Sequence, residues 1–282
     1  MRRLIACFLC FGALLFSFGC HRDKEVAPRW ELICLDVGQG HCTLLRTSEG
    51  DVLVDAGSET SQVDLCQRLK SLGVTRLKLM ILTHPDEDHI GGADGILEQF
   101  EVDEICTNGA TAETDSYARL IETAERKSVP IRAIRAMEGF SMDGAYVSVL
   151  WSPEQGDVSS NDESLALLIR CNNFGALIMG DVSMNVEREL IERYGDTHLR
   201  SDVLIVGHHG SNTSTCDELL ETACPQYAVI SCGAGNAYGH PDGRALARIE
   251  KHGAEILRTD LEGDLRFAIY ENEYMLFKKG DK

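Results

Sequence analysis

Residues 81–92 read ILTHPDEDHIGG. The apolar run 77–84, LKLMILTH, delivers a segment in which six residues hold two histidines and three acids, and a glycine pair follows. The run reads as a buried strand, so His84, Asp86, Asp88 and His89 stand where the chain leaves a sheet. Imidazole nitrogen and carboxylate oxygen both bind divalent metals at about 2.0–2.2 Å. On an extended turn His84, Asp86 and Asp88 point the same way, and His89 turns to the other side, where it can serve a second ion. Gly91-Gly92 lets the backbone turn tightly into a helix. A solvated acidic loop would not require two histidines at this spacing. A mostly-histidine zinc cluster would carry histidine at position 86, so Asp86 poses the question of what kind of site this is.

Outward from this stretch, the 282 residues are 44% hydrophobic and 26% charged, which suits one soluble globular core. The net charge is −18. Residues 1–19 contain Arg2 and Arg3 and no acid, so without them 25 basic residues face 45 acidic ones, a net charge of −20. Such a surface repels nucleic acid and acidic lipid in general. A phosphate substrate would need a local cationic patch or bound metal.

MRRLIACFLCFGALLFSFGC, residues 1–20, has a basic start, an apolar run from Leu4 to Phe18 and a small residue before cysteine. That is a secretory signal pattern. Ser17-Phe18-Gly19-Cys20 resembles a loose lipobox with Cys20 as the lipidated residue. An ordinary cleaved signal and an uncleaved anchor are the alternatives. The expected division is a signal peptide over 1–19, a tether over 20–29 and a hydrolase domain over 30–282. The expected location is outside the cytoplasm, in the cell envelope and facing periplasm or exterior, with a diacyl anchor on the membrane. Eight cysteines lie beyond Cys20 with no CxxC pair, which argues against a cysteine zinc knuckle. Export would permit some of them to pair, without indicating which.

From Trp30 onward short apolar strands alternate with helices. Strands are expected at 30–37, 41–47, 51–56, 77–84, 101–107, 131–136, 145–151, 163–171, 175–181, 202–209, 227–233, 255–259 and 265–270. Helices are expected near 60–72, 91–100, 112–127, 184–194, 214–222 and 242–252. Two halves, each strands first and helices later, predict an α/β sandwich of two mixed sheets with helices outside.

H-x-[HD]-x-D-H followed by x-G-G resembles the metal motif of the metallo-β-lactamase fold, an αββα sandwich. DVGQG at 36–40, VLVDAGS at 52–58, NDESLALLI at 161–169, IMGD at 178–181, VGHHGSNTS at 206–214, YGHPDG at 238–243 and RTDLEGDLRF at 258–267 resemble, in order, the extracellular hydrolase domain of ComEC-type competence proteins. The likeness covers about residues 30–270. A fused membrane channel, which accompanies this domain in those proteins, is not expected here.

Carried over position by position, the resemblance implies that His84 and Asp86 hold a first metal, and that Asp88 and His89 hold a second. Asp181 would bridge them, although a helix N-cap is its plainer alternative. His208 or His209 would complete the second metal, with His208 narrowly preferred. Asp55 would orient a ligand histidine through a hydrogen bond, or serve as a turn residue before Gly57. Asn161 or Asp162 would supply an oxygen where a lactamase-type site has its third histidine. His41 replaces an acid common in the family and either faces the site or merely starts a strand. His240 is a candidate proton donor or phosphate contact, or a structural loop residue. Ser211 and Thr213 would donate hydrogen bonds to a bound phosphate, and Asn212 stands where the family often has lysine.

Such an oxygen-rich set favours manganese or iron relative to zinc, with zinc also compatible. The reading that follows is a two-metal phosphodiesterase or nuclease-like hydrolase in which a hydroxide is shared by two divalent ions, with Asp88 and His240 as its catalytic candidates. The acidic body favours short or single-stranded nucleic acid, or a small phosphate ester. Oligomeric state is open. A non-catalytic envelope binding module, and a hydrolase of lactams, thioesters or other esters, are the rival readings on the same fold. No GxSxG elbow supports serine-histidine-aspartate chemistry.

Overall fold

A computed structural model describes residues 27–153 and 161–281. Cys20, the signal segment and most of the expected tether lie outside the described residues. Strands β1 (Trp30–Cys34), β2 (Thr43–Thr47), β3 (Gly50–Val54), β4 (Arg76–Leu82), β5 (Glu101–Val102), β6 (Ile105–Thr107) and β7 (Ile131–Ala133) begin the first sheet. Strands β8 (Gly139–Met142), β9 (Ala145–Trp151), β10 (Ala166–Cys171), β11 (Phe174–Ile178), β12 (Val203–Ile205), β13 (Tyr227–Ile230) and β14 (Glu255–Arg258) form the second. The chain then returns to the first sheet with β15 (Leu265–Ile269) and β16 (Tyr274–Phe277), and β15 pairs antiparallel with β1.

Both sheets are mixed. The first changes from antiparallel to parallel pairing at β3, whose partner β4 runs the same way. The second changes at β11, which pairs antiparallel with β10 and parallel with β12. Side-chain alternation then builds the layers. Val52 and Val54 join Val147, Leu167, Ile178 and Val203 between the sheets. Leu53 points outward, into a layer with Leu65, Leu69, Ile96 and Leu120. Those residues come from α1 (Gln62–Ser71), α3 (Ala93–Gln99) and α4 (Asp115–Lys127). On the far side Leu177 and Leu204 pack with Leu190, Leu219 and Ile249 of α5 (Met184–Leu199), α6 (Asp217–Ala223) and α7 (Gly243–Lys251). The expected αββα sandwich is the observed one.

Several boundaries differ from the sequence reading. The expected strand 101–107 splits into β5 and β6, and both pieces pair with β4. The helix expected to end at 194 continues to Leu199 across a break at Gly195. The strand expected over 202–209 ends at Ile205. β8 and β16 had no counterpart among the expected strands. All eight described cysteines are free thiols, and all but Cys224 are buried.

Candidate metal centre

The carboxyl ends of β3, β4, β11, β12 and β13 open on one edge of the sandwich, where a mixed sheet leaves a crevice for ligands. β4 leads into Thr83 and His84. A short helix, α2 (Glu87–Ile90), then begins at Asp86, whose carbonyl accepts from the backbone N–H groups of His89 and Ile90, both at 3.0 Å. This turn separates His84 from His89 while keeping both rings buried, with centroids 4.1 Å apart. Gly40 backs the turn. The His41 N–H donates to the Asp88 carbonyl at 3.1 Å, and a Cβ on Gly40 would collide with that carbonyl oxygen.

β11 ends at Ile178, short of the expected 181, and leads into Met179-Gly180-Asp181. Asp181 does not cap α5, whose N-cap is Ser183, with its Oγ accepting from the Asn185 N–H at 3.3 Å. The Asp181 carboxylate instead divides between two groups of imidazoles. Its Oδ1 lies 3.2 Å from His89 Nε2 and 3.9 Å from His209 Nε2. Its Oδ2 lies 4.0 Å from His84 Nε2 and 3.8 Å from His208 Nε2. Asp86 Oδ2 is 3.6 Å from His84 Nε2, and Asp88 Oδ2 is 3.2 Å from His209 Nε2. The sequence-nominated residues therefore gather in two groups about one carboxylate: His84, Asp86 and His208 on one side, and His89, Asp88 and His209 on the other.

The arrangement suits cations. His84 Nε2, His89 Nε2, His209 Nε2 and Asp181 Oδ1 are buried with no hydrogen-bond partner among the described residues. Burying such atoms unpaired is costly. Their other ring nitrogens are committed. His209 Nδ1 donates to the Ser231 carbonyl at 2.8 Å, and His89 Nδ1 donates to Asp55 Oδ2 at 2.8 Å. In the neutral tautomers this fixes, both Nε2 lone pairs face carboxylate oxygens, an opposition that a metal ion relieves. His84, His89 and Asp181 offer ligand atoms within 4.8 Å of one another, and so do Asp88, His89 and His209.

Asp55 is fully buried and accepts four hydrogen bonds. Its Oδ2 takes His89 Nδ1, His41 Nδ1 at 2.9 Å and Thr83 Oγ1 at 2.9 Å, and its Oδ1 takes the Thr83 N–H at 2.7 Å. His41 is thus behind the centre, with its Nε2 accepting from Thr43 Oγ1 at 3.0 Å. Thr83 had no role in the sequence reading; the only signal was its place in LTH, one residue before the first histidine.

The histidine pair is not on a strand. His208 and His209 both have left-handed backbone, φ 49° and 52°, so their rings diverge at an interplanar angle of 73°. His209 is buried. His208 lies toward the surface, with Asn161 Nδ2 3.1 Å from its Nδ1 and Thr213 Oγ1 3.4 Å from the same atom. Ser211 Oγ pairs with Thr213 Oγ1 at 3.0 Å. Asn212 faces Arg248, whose guanidinium donates to Asn212 Oδ1 at 3.1 Å and to the Ser214 and Thr215 carbonyls at 2.9 and 2.8 Å. Sequence reasoning missed Arg248, which lies in a helix far along the chain. Asp162 Oδ1 accepts from the Ser183 N–H at 2.7 Å. The His240 ring stands 5.5 Å from that of His208.

A family model, the metallo-beta-lactamase superfamily, matches residues 35–140. A solved structure, the metallo-beta-lactamase fold protein YhfI from Bacillus subtilis, superposes with a TM-score of 0.54 at 11% identity over 88% of this chain and 100% of that one. The chain has the metallo-β-lactamase fold. Among curated relatives, Competence protein ComA of Neisseria gonorrhoeae is 32% identical over 91% of this chain, and ComE operon protein 3 of Bacillus subtilis is 28% identical over 97%. The chain spans 35% and 36% of their respective lengths.

Within this metallo-β-lactamase fold the electrostatics of the centre follow from burial and pairing. Burial alone would raise the Asp55 carboxyl, but His89 and His41 override it and hold it well below the usual carboxylate range. Burial would lower His89, but Asp181 and Asp55 on its two nitrogens raise it well above an ordinary histidine. His209 rises for the same reason, against Asp88 and Asp181. A carboxylate that favours a proton on Nε2 also favours a metal ion there. Burial lowers His41 despite Asp55, in keeping with its neutral, twice hydrogen-bonded ring.

Proposed function

We propose that the protein is a two-metal hydrolase of phosphodiesters, acting on short or single-stranded nucleic acid or a comparable phosphate ester. The observation that carries this reading is the division of Asp181, one oxygen toward His89 and His209 and the other toward His84 and His208. On this reading His84, Asp86 and His208 hold one divalent ion. His89, Asp88 and His209 hold the other, and Asp181 serves both. Bound divalent ions supply Lewis acidity, lower the pKa of water and neutralise developing phosphoryl charge. Asp86, whose side chain is 48% exposed, marks the open side from which substrate enters. Each ion would see two imidazoles and two carboxylates. That set is harder than three histidines and suits manganese or iron as well as zinc.

The chain's own residues prepare the site. Asp55 holds the Nδ1 proton of His89, which keeps Nε2 free to coordinate. Ser231 does the same for His209, and Asn161 braces His208. His240, at the rim, is placed to hydrogen-bond a phosphate oxygen. Three carboxylates against two divalent ions leave the centre locally cationic inside a protein of net charge −18, which gives a phosphate a place to bind. The competence name of the gonococcal relative supports a nucleic-acid ester over a lactam.

The test is hydrolysis of bis(p-nitrophenyl) phosphate and single-stranded DNA by the purified protein with Mn²⁺ or Zn²⁺. Turnover that chelation and Asp181→Asn both abolish is expected. Turnover that survives Asp181→Asn overturns the site assignment, and no turnover under any metal overturns the enzyme reading. The leader supports export and a lipid anchor at Cys20. A membrane fraction lost on Cys20→Ala and sensitive to globomycin would bear this out, and a soluble wild-type protein would refute it.

A further inference from the structure

One exposed aromatic ring stands at the rim of the centre and plays no part in the chemistry above. Tyr238 is 70% exposed. Its ring lies over His240 at 5.8 Å and an interplanar angle of 26°. His240 in turn lies over His209 at 6.5 Å and 28°. Near-parallel rings therefore lead in two steps from solvent to a metal-facing imidazole, and the outer face of Tyr238 is left open.

The loop that presents this ring is held firmly. The Asn236 side chain accepts from the Tyr238 N–H at 3.1 Å and the His240 N–H at 3.0 Å, and it donates to the His240 carbonyl at 2.6 Å. Pro241 presses on Gly210, where an added Cβ would come within 2.7 Å of the proline Cβ. A pre-positioned aromatic face loses little entropy on binding.

We infer that Tyr238 is a stacking platform for a nucleobase of single-stranded substrate, flanking the diester held at the metal centre. The inference rests on the proposed nucleic-acid ester reading and names how that substrate is recognised. A surface this acidic has few ways to grip a polyanion. Stacking needs no positive charge, and every base offers a π-face, so it is tolerant of sequence. A duplex keeps its bases stacked on each other and would not offer one to Tyr238.

The experiment is equilibrium binding of the full chain to two fluorescein-labelled probes, a short oligothymidylate and an abasic oligomer with the same number of phosphates. Wild type should prefer the oligothymidylate. Tyr238→Ala should weaken that probe roughly 5- to 150-fold, leave the abasic probe unchanged and so erase the preference, while Tyr238→Phe retains it. Equal losses on both probes would make Tyr238 a structural residue of the loop. No preference in wild type, or binding of neither probe, would overturn the inference outright. Because binding is read without turnover, failure of the hydrolase reading would leave this discrimination measurable.

Discussion

Asp55→Asn probes the centre without touching a metal-facing group. Asp55 has φ 60°, and asparagine tolerates that left-handed backbone, so the substitution does not strain the chain. The amide has two placements, and each opposes donor to donor. With its oxygen at the Oδ2 position it still accepts from His89, His41 and Thr83 Oγ1, but its NH₂ meets the buried Thr83 N–H that Oδ1 had taken at 2.7 Å. With its oxygen at the Oδ1 position, its NH₂ meets the Nδ1–H groups of His89 and His41. His89 must then carry its proton on Nε2, the atom that faces Asp181. The first placement costs about 1–3 kcal/mol for an unmade buried hydrogen bond. That corresponds to a fall in melting temperature of roughly 2–12 °C for a chain of this size. The second lowers metal affinity by the roughly 10- to 100-fold typical of an orienting partner, or about 1.4–2.8 kcal/mol. Thermal melting with and without metal, and Mn²⁺ or Zn²⁺ titration against a competing chelator, read both effects. Unchanged melting temperature together with unchanged metal affinity would refute the role given to Asp55.

Four further outcomes follow from the same geometry. Gly40→Ala should cost about 1–3 kcal/mol and weaken metal binding, because its Cβ displaces the Asp88 carbonyl; calorimetry and metal titration check it. Glu187→Ala should cost about 2–5 kcal/mol, since the buried Glu187 carboxylate accepts from the Thr215 and Cys216 N–H groups at 2.5 and 2.7 Å; a denaturant melt measures it. At free metal near one hundred times Kd, chelation should remove about 2.7 kcal/mol of stability for each bound ion, and an unchanged melting temperature would count against bound metal. In protein lacking residues 1–20, Ellman's reagent should modify Cys224 in the folded state and the seven buried described cysteines only on unfolding; fast reaction of several thiols, or thiols missing after denaturation, would contradict the observed free and buried set.

Much of this centre was legible in the sequence because it rests on local chemistry. His84, Asp86, Asp88 and His89 lie within six residues after an apolar strand, and Gly180-Asp181 follows another apolar strand closely enough to deliver a carboxylate to the same edge. The αββα layering was legible too, since continuous apolar runs at β3, β4, β10 and β11 demand cover on both faces. The relation of His208 to His209 was not. Alternation along a strand was the natural rule, but β12 stops at Ile205 and both histidines take left-handed φ, which no periodicity encodes. The result places them on opposite sides of Asp181. His41 was equally opaque, because its partner Asp55 lies just past the end of β3 and only the pairing of β2 with β3 brings the two together. β8 escaped notice because its four residues, GFSM, are too short an alternation to read, although Phe140 is half-buried and Met142 joins the core. Asp86 is the position where the two views meet. As a letter it looked like a missing histidine, and in space it is the carboxylate 3.6 Å from His84 at the open side of a centre that already holds four imidazoles.

The most direct test of a centre built around one shared carboxylate is metal stoichiometry. Purified protein stripped of metal should take up two equivalents of Mn²⁺ or Zn²⁺ by titration calorimetry, and Asp181→Asn should lose tight binding at both positions while remaining folded by circular dichroism. No uptake by wild type, or two equivalents still bound by Asp181→Asn, would contradict the account.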